Sequence, residues 1–149
     1  MGLAKLLVAN RGEIATRVVR SAVEWNWGYE RLLIYSEDDA ASLYVHMADE
    51  VQGRAGEGVP AYLDGEQILA IAKAQGCDAI HPGYGFLGEN AVFARACADA
   101  GITFVGPRPE MLDLFDDKVR ARDIASQAKV PILTAQQLMS NQTTRRDKL

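Results

Sequence analysis

The sequence predicts an α/β fold built on a parallel sheet with helices on both faces. Short apolar runs of strand length alternate with longer segments of helical periodicity along most of the 149 residues. Glycine ends several of these segments, as at Gly28, Gly76 and Gly101, and such positions are typical of helix termini. Strands that alternate with helices indicate crossover connections, which join parallel strands.

The N-terminal part of the chain supplies the first strand, the first helix and the second strand. The apolar run KLLVAN at 5–10 stops at Arg11 and Gly12, as a buried strand does. Gly28 ends the helix predicted over 13–27, and RLLIY at 31–35 predicts the second strand. The helix is expected to be amphipathic, with one apolar stripe made of Ile14, Ala15, Val18, Val19 and Ala22.

The segments that follow the second strand are shorter. We expect a polar turn at 37–41, one or two helical turns at 42–48 and a third strand at 50–52. The stretch 53–62 is expected to be a loop because it contains three glycines and a proline.

A capped helix and a fourth strand come next. Asp64 is placed to cap a helix, and Gln67 stands where its side chain reaches back to the cap. The strand at 79–81 then leads into the stretch HPGYGFLGEN at 81–90. The helix ends at Gly76, and its predicted buried face comprises Ile68, Leu69, Ile71 and Ala72.

The last predicted elements repeat this order. A helix at 91–100 stops at Gly101, and a strand at 102–105 is ended by glycine and proline. Pro109 fits the first position of a helix that runs to residue 115, and an Asp116-Asp117 cap precedes a helix at 118–128. The whole series predicts a Rossmann-like doubly wound sheet.

Composition excludes several functional classes. The net charge is −4 and no basic block occurs, so nucleic acid is not expected as a partner. Cys77 and Cys97 have no CxxC or histidine spacing around them, which predicts small core side chains rather than a metal site. No signal peptide and no apolar run of membrane-spanning length is apparent. We therefore expect a cytoplasmic protein that does not enter a membrane.

Two loops are candidates for a ligand site because ligands bind parallel sheets beyond the carboxyl ends of the strands. They are 10–13 after the first strand and 81–90 after the fourth. The first loop lacks the GxGxxG pattern of dinucleotide-binding proteins, since NRGEIA has one glycine. No Walker lysine loop, GxSxG elbow or HExxH pattern occurs. The residues of the two loops are also compatible with a generic nucleotide-binding domain. That hypothesis predicts that the isolated chain binds ATP or a dinucleotide.

The order of several motifs carries a more specific inference. The chain resembles the N-terminal, pre-ATP-grasp domain of biotin carboxylase, the ATP-dependent component of acetyl-CoA, propionyl-CoA and pyruvate carboxylases. The resemblance covers residues 1–134 as one domain, and the remainder, 135–149, is expected to be a disordered or truncated tail. The motifs are ANRGEIA at 9–15, YSEDD at 35–39, ADE at 48–50, AIHPGYGFLGEN at 79–90, FVGP at 104–107 and DKVRAR at 117–122.

The resemblance implies an enzyme that uses MgATP to activate bicarbonate and then carboxylates biotin held on a carrier domain. The ATP-grasp and C-terminal domains of that family are absent from these 149 residues. The family's catalytic residues lie mostly in those domains, so we expect none within this chain. Alone, it is expected to be an incomplete, inactive ligase fragment. Its implied partners are the biotin carboxyl carrier and the remaining carboxylase domains.

A few positions carry family roles by resemblance. Lys118 matches a lysine that contacts the ATP phosphates, with a solvated surface lysine as the alternative. Tyr84 and Gly85 match the loop that borders the biotin pocket, with a structural turn as the alternative. Arg20 and Glu24 match a pair at a homodimer interface, and the other interpretation is an ordinary exposed pair on one helix face.

Other polar residues of the two loops are expected to be structural. His81 is interpreted as a packed histidine bonded to the backbone, and Asn90, with Glu89, is as well placed to cap a helix as to form a site. Asn10, Arg11 and Glu13 are expected to hold the first loop together through hydrogen bonds.

The resemblance leaves two functional hypotheses. The first is the N-terminal segment of a biotin-dependent carboxylase. The second is a noncatalytic, stand-alone domain that binds carboxylase subunits through the helix of Arg20 and Glu24.

Overall fold

The fold is a parallel five-stranded sheet, seen in a computed structural model that describes residues 4–24, 28 and 30–132. The strand order is β3-β2-β1-β4-β5, and every pair of neighbours is parallel. This arrangement confirms the predicted α/β class. The strands are β1 (Lys5–Val8), β2 (Glu30–Ser36), β3 (Glu50–Arg54), β4 (Ala79–His81) and β5 (Thr103–Phe104).

The chain forms two compact units, Met1–Asp116 and Asp117–Leu149. In the first unit the helices are α1 (Gly12–Glu24), α2 (Gly58–Leu63), α3 (Gly65–Ala74), α4 (Ala91–Asp99) and α5 (Pro109–Asp116). Three short 3-10 segments, Glu37–Asp39, Leu43–His46 and Phe86–Glu89, lie between strands and helices of this unit. The second unit contains α6 (Lys118–Gln127).

The sheet separates two apolar cores, because successive side chains of a strand point to opposite faces. On one face, Leu7 of β1 and Ile80 of β4 pack with residues of α2, α3 and α4. On the other, Leu6 and Val8 of β1 pack with α1 and the 3-10 segment Leu43–His46. The helices therefore cover both faces, as expected from strands that are apolar on both sides.

Helix termini follow the sequence signals closely. Asp64 accepts a hydrogen bond from the Gln67 backbone at 3.0 Å, and Asn90 accepts one from the Phe93 backbone at 2.9 Å. Asp117 caps α6 in the same way through Val119. These caps satisfy backbone N–H groups that the first turn of a helix leaves without partners.

Two expectations for the region after β2 were wrong. Residues 58–63 form α2 rather than continuing the loop, since burial of Ala61 and Tyr62 outweighs the glycine-rich sequence. The side chain of Gln67 does not reach back to its cap. Its Oε1 accepts a hydrogen bond from Arg54 Nε at 3.0 Å instead.

The prediction that the two cysteines are core side chains is confirmed. Cys77 and Cys97 are both free and buried in the core. Burial raises the pKa of each thiol to about 11.

None of the described helices combines the length and apolar character that a membrane span requires. The expected tail at 135–149 lies outside the described residues.

Candidate functional site

The polar residues of three loops meet at the carboxyl edge of the sheet. Strand β1 lies between β2 and β4, so the segments that leave these three strands are neighbours. They begin at Ala9, at Glu37 and at Pro82. This placement confirms that the two candidate loops share an edge and adds the segment after β2, which sequence reasoning treated as a turn.

Asn10 joins the first loop to the third. Its side chain is fully buried, and its Nδ2 donates to the backbone oxygens of Pro82 at 2.7 Å and Tyr84 at 3.3 Å. Its Oδ1 accepts from the backbone N–H of Arg11 at 2.9 Å. Asn10 therefore stabilises the turn at 82–84 as well as its own loop, which extends the expected structural role.

Two glycines of the third loop have opposite surroundings. Gly83 has φ +71°, and a Cβ there would lie 2.6 Å from both Asn10 Nδ2 and Ile14 Cγ2. Gly85 has φ +66° and ψ −167°, a region that is accessible almost only to glycine, yet a Cβ there would have no heavy atom within 4 Å. The backbone at Gly83 is packed against Asn10 and Ile14, whereas the Cα of Gly85 faces open space.

His81 contributes to the turn rather than to the open rim. Its Nδ1 accepts a hydrogen bond from the Gly83 backbone N–H at 3.0 Å. Burial lowers the pKa of the imidazole, because the charged form is disfavoured away from water. A neutral ring with Nδ1 as acceptor matches the expected packed histidine.

A buried polar network lies next to this turn and centres on Asp39. Asp39 Oδ1 is 2.5 Å from Arg11 Nη2, and its Oδ2 accepts from the Tyr62 hydroxyl at 2.9 Å. Ser36 donates its backbone N–H to the Tyr62 oxygen at 3.0 Å, and the Tyr44 and Tyr62 hydroxyls are 2.8 Å apart. The network joins the segments after β1 and β2 to α2.

The network fixes the ionisation state of its members. Burial alone would raise the pKa of Asp39, but hydrogen bonds from Arg11, Tyr62 and Tyr44 outweigh it and lower the pKa to about 2. Burial raises the pKa of the Tyr62 phenol. Asp39 is therefore a charged structural acceptor, and Tyr62 is a neutral donor at any physiological pH.

Tyr62 also connects the network to the far end of the third loop. Its ring stacks on that of Phe86 with centroids 5.9 Å apart and planes 15° apart. The Arg11 guanidinium lies 5.7 Å from the centroid of the Tyr62 ring, a distance at which a cation and an aromatic face attract. Phe86 holds a positive φ of 47°, so this stack stabilises a backbone conformation that is costly for a residue with a side chain.

The open part of the edge consists of Tyr84 and Gly85. Tyr84 is 68% exposed, although Asn10 binds its backbone oxygen. Such a surface offers a phenol ring and an uncovered peptide, which suit stacking and hydrogen bonding to a ligand. Within residues 4–24, 28 and 30–132, no cluster of His, Cys, Asp or Glu side chains is arranged to hold a metal ion.

The remaining predicted site residues lie elsewhere. Arg20 and Glu24 are exposed on α1, and no hydrogen bond or ion pair joins them to each other or to any other described residue. Glu13 pairs with Arg17 at 3.3 Å along the same helix, so it does not hold the first loop as expected. Lys118 is exposed at the start of α6, in the second unit.

Sequence reasoning missed the network of Asp39, Tyr62, Tyr44 and Ser36. One signal was available, because YSEDD at 35–39 begins at the last residue of a predicted strand and so had to lie at the same edge as the two candidate loops. The partners of Asp39 from α2 could not be found in this way, since that helix was itself predicted to be loop.

A small cleft of about 330 Å³ lies away from these contacts. It is lined by residues of α4, of β5 and of the segment 106–109 that leads into α5. None of its lining residues belongs to the three loops at the carboxyl edge of the sheet. We assign it no role.

Comparison with protein families gives a match to "Biotin carboxylase, N-terminal domain" over residues 2–112. Over 135 residues the chain is 51% identical to a putative urea carboxylase of Emericella nidulans, which covers 91% of this chain and 11% of that protein. It is 48% identical over 130 residues to a biotin carboxylase of Halalkalibacterium halodurans, covering 87% of this chain and 28% of that protein.

Solved structures agree with these matches. The chain superposes with a TM-score of 0.84 and 42% identity on the biotin carboxylase domain of Hydrogenobacter thermophilus 2-oxoglutarate carboxylase. That structure is a dimer in complex with MgADP, ADP and bicarbonate, and the match covers 91% of this chain and 30% of that one. The chain thus spans less than a third of the length of each of these relatives.

Proposed function

The chain belongs to the biotin carboxylase N-terminal domain family, and from this premise we propose that it serves as the N-terminal part of a biotin-dependent carboxylase. In that enzyme ATP, with Mg²⁺, activates bicarbonate, and biotin supplies the ureido nitrogen that accepts the carboxyl group. The observation that carries the proposal is the fixed loop at the carboxyl edge, which leaves Tyr84 and Gly85 open. Parallel sheets bind ligands at this edge.

We propose that Tyr84 and Gly85 form one wall of the biotin pocket. The uncovered backbone at Gly85 admits close approach by a ligand, which any larger residue would hinder. The exposed ring of Tyr84 supplies an apolar surface with a polar tip. The opposite wall is proposed to come from the carboxylase domains that these 149 residues do not include.

Two further roles are proposed for exposed charged residues. Lys118 is proposed to contact the ATP phosphates in the complete enzyme, since a lysine is a compact point charge and this one is exposed, with no ion pair to a described residue. Arg20 and Glu24 are proposed to form a homodimer contact, in keeping with their exposure on α1 and the dimeric Hydrogenobacter domain. The biotin carboxyl carrier remains the proposed partner, and the cytoplasm the proposed location.

A chimera tests the main proposal. Residues 2–132 of this chain would replace the corresponding segment of the Halalkalibacterium biotin carboxylase, to which the chain is 48% identical. We expect the chimera to hydrolyse ATP in a manner that depends on bicarbonate and biotin, and the isolated chain to show no such activity. A folded chimera without biotin-dependent turnover, or an isolated chain with it, would contradict the proposal.

A pair of variants of the chimera tests the biotin wall. Tyr84→Ala should raise the KM for biotin, because it removes the exposed ring. Leu43→Ala is the matched control, since Leu43 is also exposed, at 77%, but lies in a 3-10 segment that follows β2. An equal effect of both substitutions on KM would remove Tyr84 from the pocket.

A noncatalytic, subunit-binding domain is the alternative. The observation in its favour is that Arg20 and Glu24 are exposed without partners among the described residues. It requires the isolated chain to bind a carboxylase subunit, and Arg20→Glu to abolish that binding while Arg17→Glu, one turn earlier on the helix, preserves it. Binding of this kind together with an inactive chimera would favour the alternative.

A further inference from the structure

We infer that Asn10 is a positioning residue that sets the conformation in which Tyr84 and Gly85 meet biotin, an inference that rests on the proposed function above. Asn10 itself is fully buried and has no route to a ligand. Its effect is exerted through the two backbone oxygens that its amide nitrogen binds.

The side-chain amide of Asn10 has the donors and the acceptor that the surrounding backbone groups require. Its two N–H groups serve the oxygens of Pro82 and Tyr84, and its oxygen serves the N–H of Arg11. A carboxylate of the same size has no donor, and an apolar side chain has neither donor nor acceptor. Either replacement would leave buried backbone oxygens without partners.

The two bonds from Asn10 orient the backbone on both sides of Gly83. Pro82 and Tyr84 flank Gly83, so the two bonds hold both sides of the glycine against Asn10 and Ile14, where there is no space even for a Cβ. With the Tyr84 oxygen bonded to Asn10, the Tyr84 ring is left exposed and the Cα of Gly85 faces open space. The bonds from Asn10 therefore keep the backbone at Gly83 packed and leave the Tyr84 side chain exposed.

A second anchor holds the loop beyond Gly85. Phe86 stacks on Tyr62, and Leu87, the next residue, is buried. The loop is therefore held on both sides of Tyr84 and Gly85: before them by the bonds from Asn10, and after them by the stack of Phe86 on Tyr62. Of the two anchors, Asn10 is the one that can be altered without removing a hydrogen bond to Asp39. It accepts from the backbone N–H of Arg11, whereas Arg11 binds Asp39 through its guanidinium.

Hydrogen exchange on the 149-residue chain tests the positioning directly. The Gly83 amide binds His81 Nδ1 at 3.0 Å, and the Gly88 amide binds the Gly85 oxygen at 2.8 Å. Asn10→Ala should accelerate exchange of both amides, relative to the Leu33 amide of β2, by about tenfold. Asp64→Ala, which removes the cap of α3, is the control for general destabilisation and should leave this ratio unchanged. Should Asn10→Ala fail to fold, Asn10→Ser keeps a smaller hydrogen-bonding group at the site. An unchanged ratio in whichever variant folds would overturn the inference.

The chimera provides a second readout that a merely stabilising residue would not move. Asn10→Ala in the chimera should raise the KM for biotin by about tenfold, equivalent to ~1.4 kcal/mol, while kcat stays within about twofold. An unchanged KM for biotin would overturn the inference. A parent chimera without biotin-dependent turnover would instead refute the proposed function, and the exchange ratio would still decide whether Asn10 fixes the loop.

Discussion

The charge on Asp39 should make a measurable, pH-dependent contribution to stability. Asp39 is 5% exposed, and its pKa is about 2 in the folded chain against an ordinary value of 3.8. A carboxyl group with a lowered folded pKa stabilises the protein above its unfolded pKa, and this stabilisation is lost as the pH falls toward the folded value. For these two values the contribution is about 2 kcal/mol at neutral pH, and about 1 kcal/mol of it is lost by pH 3.

Asp39→Asn is the corresponding substitution, since it keeps the shape and removes the charge. We expect urea unfolding to give a free energy of unfolding about 2 kcal/mol below that of the unmodified chain at pH 7, narrowing to about 1 kcal/mol at pH 3. Asp113→Asn is the control, because Asp113 forms an exposed pair with Arg95 at 2.8 Å and exposed pairs contribute little. A difference between Asp39→Asn and the unmodified chain that stays constant from pH 7 to pH 3 would refute the electrostatic reasoning.

Three further results are expected. Tyr62→Phe should lower the free energy of unfolding by about 2 kcal/mol, because the buried Ser36 N–H loses its acceptor, whereas Tyr35→Phe should have little effect, since no described residue bonds that hydroxyl. Gly83→Ala should cost about 1–3 kcal/mol more than Gly101→Ala in urea unfolding, as both glycines have φ +71° but only the first is crowded; equal losses would refute the packing argument. Both cysteines should react with a thiol reagent at pH 8 only at the rate of unfolding, since burial raises their pKa to about 11; rapid labelling of the folded chain would contradict this.

Much of the fold was predictable because local signals and burial agree. Strand β4 has the bounds that the sequence predicts, and the caps at Asp64, Asn90 and Asp117 bind the backbone as expected. At the strand end and at each cap, a polar side chain stands next to an apolar run. The sequence position alone therefore indicates where the strand or helix begins or ends.

The helix α2 was not predictable by the same means. Its sequence, GVPAYL, has glycine first and proline third, which favour a loop when they are considered alone. Proline is tolerated there because the first N–H groups of a helix have no intrahelical partner to lose. Burial of Ala61 and Tyr62 against the sheet supplies the stability, and that contact depends on tertiary structure.

The candidate site was predictable in location but not in its internal connections. The position of both loops follows from the order of strands and helices. The bonds from Asn10 to Pro82 and from Tyr62 to Asp39 join residues far apart in the sequence, and no periodicity or spacing signals them. Sequence reasoning consequently placed Tyr84 and Gly85 at the rim without identifying what holds them there.

The contact between Asn10 and Gly83 couples the evolution of two distant positions. A methyl group at position 83 would lie 2.6 Å from both the asparagine amide and Ile14 Cγ2, so a smaller side chain at position 10 would relieve one of these two clashes. Substitutions at these positions should therefore be non-additive, with a residue smaller than asparagine at position 10 making alanine at position 83 less harmful. A lineage that altered one of these residues would be under selection at the other, although Asn10 is 72 positions in sequence from Pro82, the residue before Gly83.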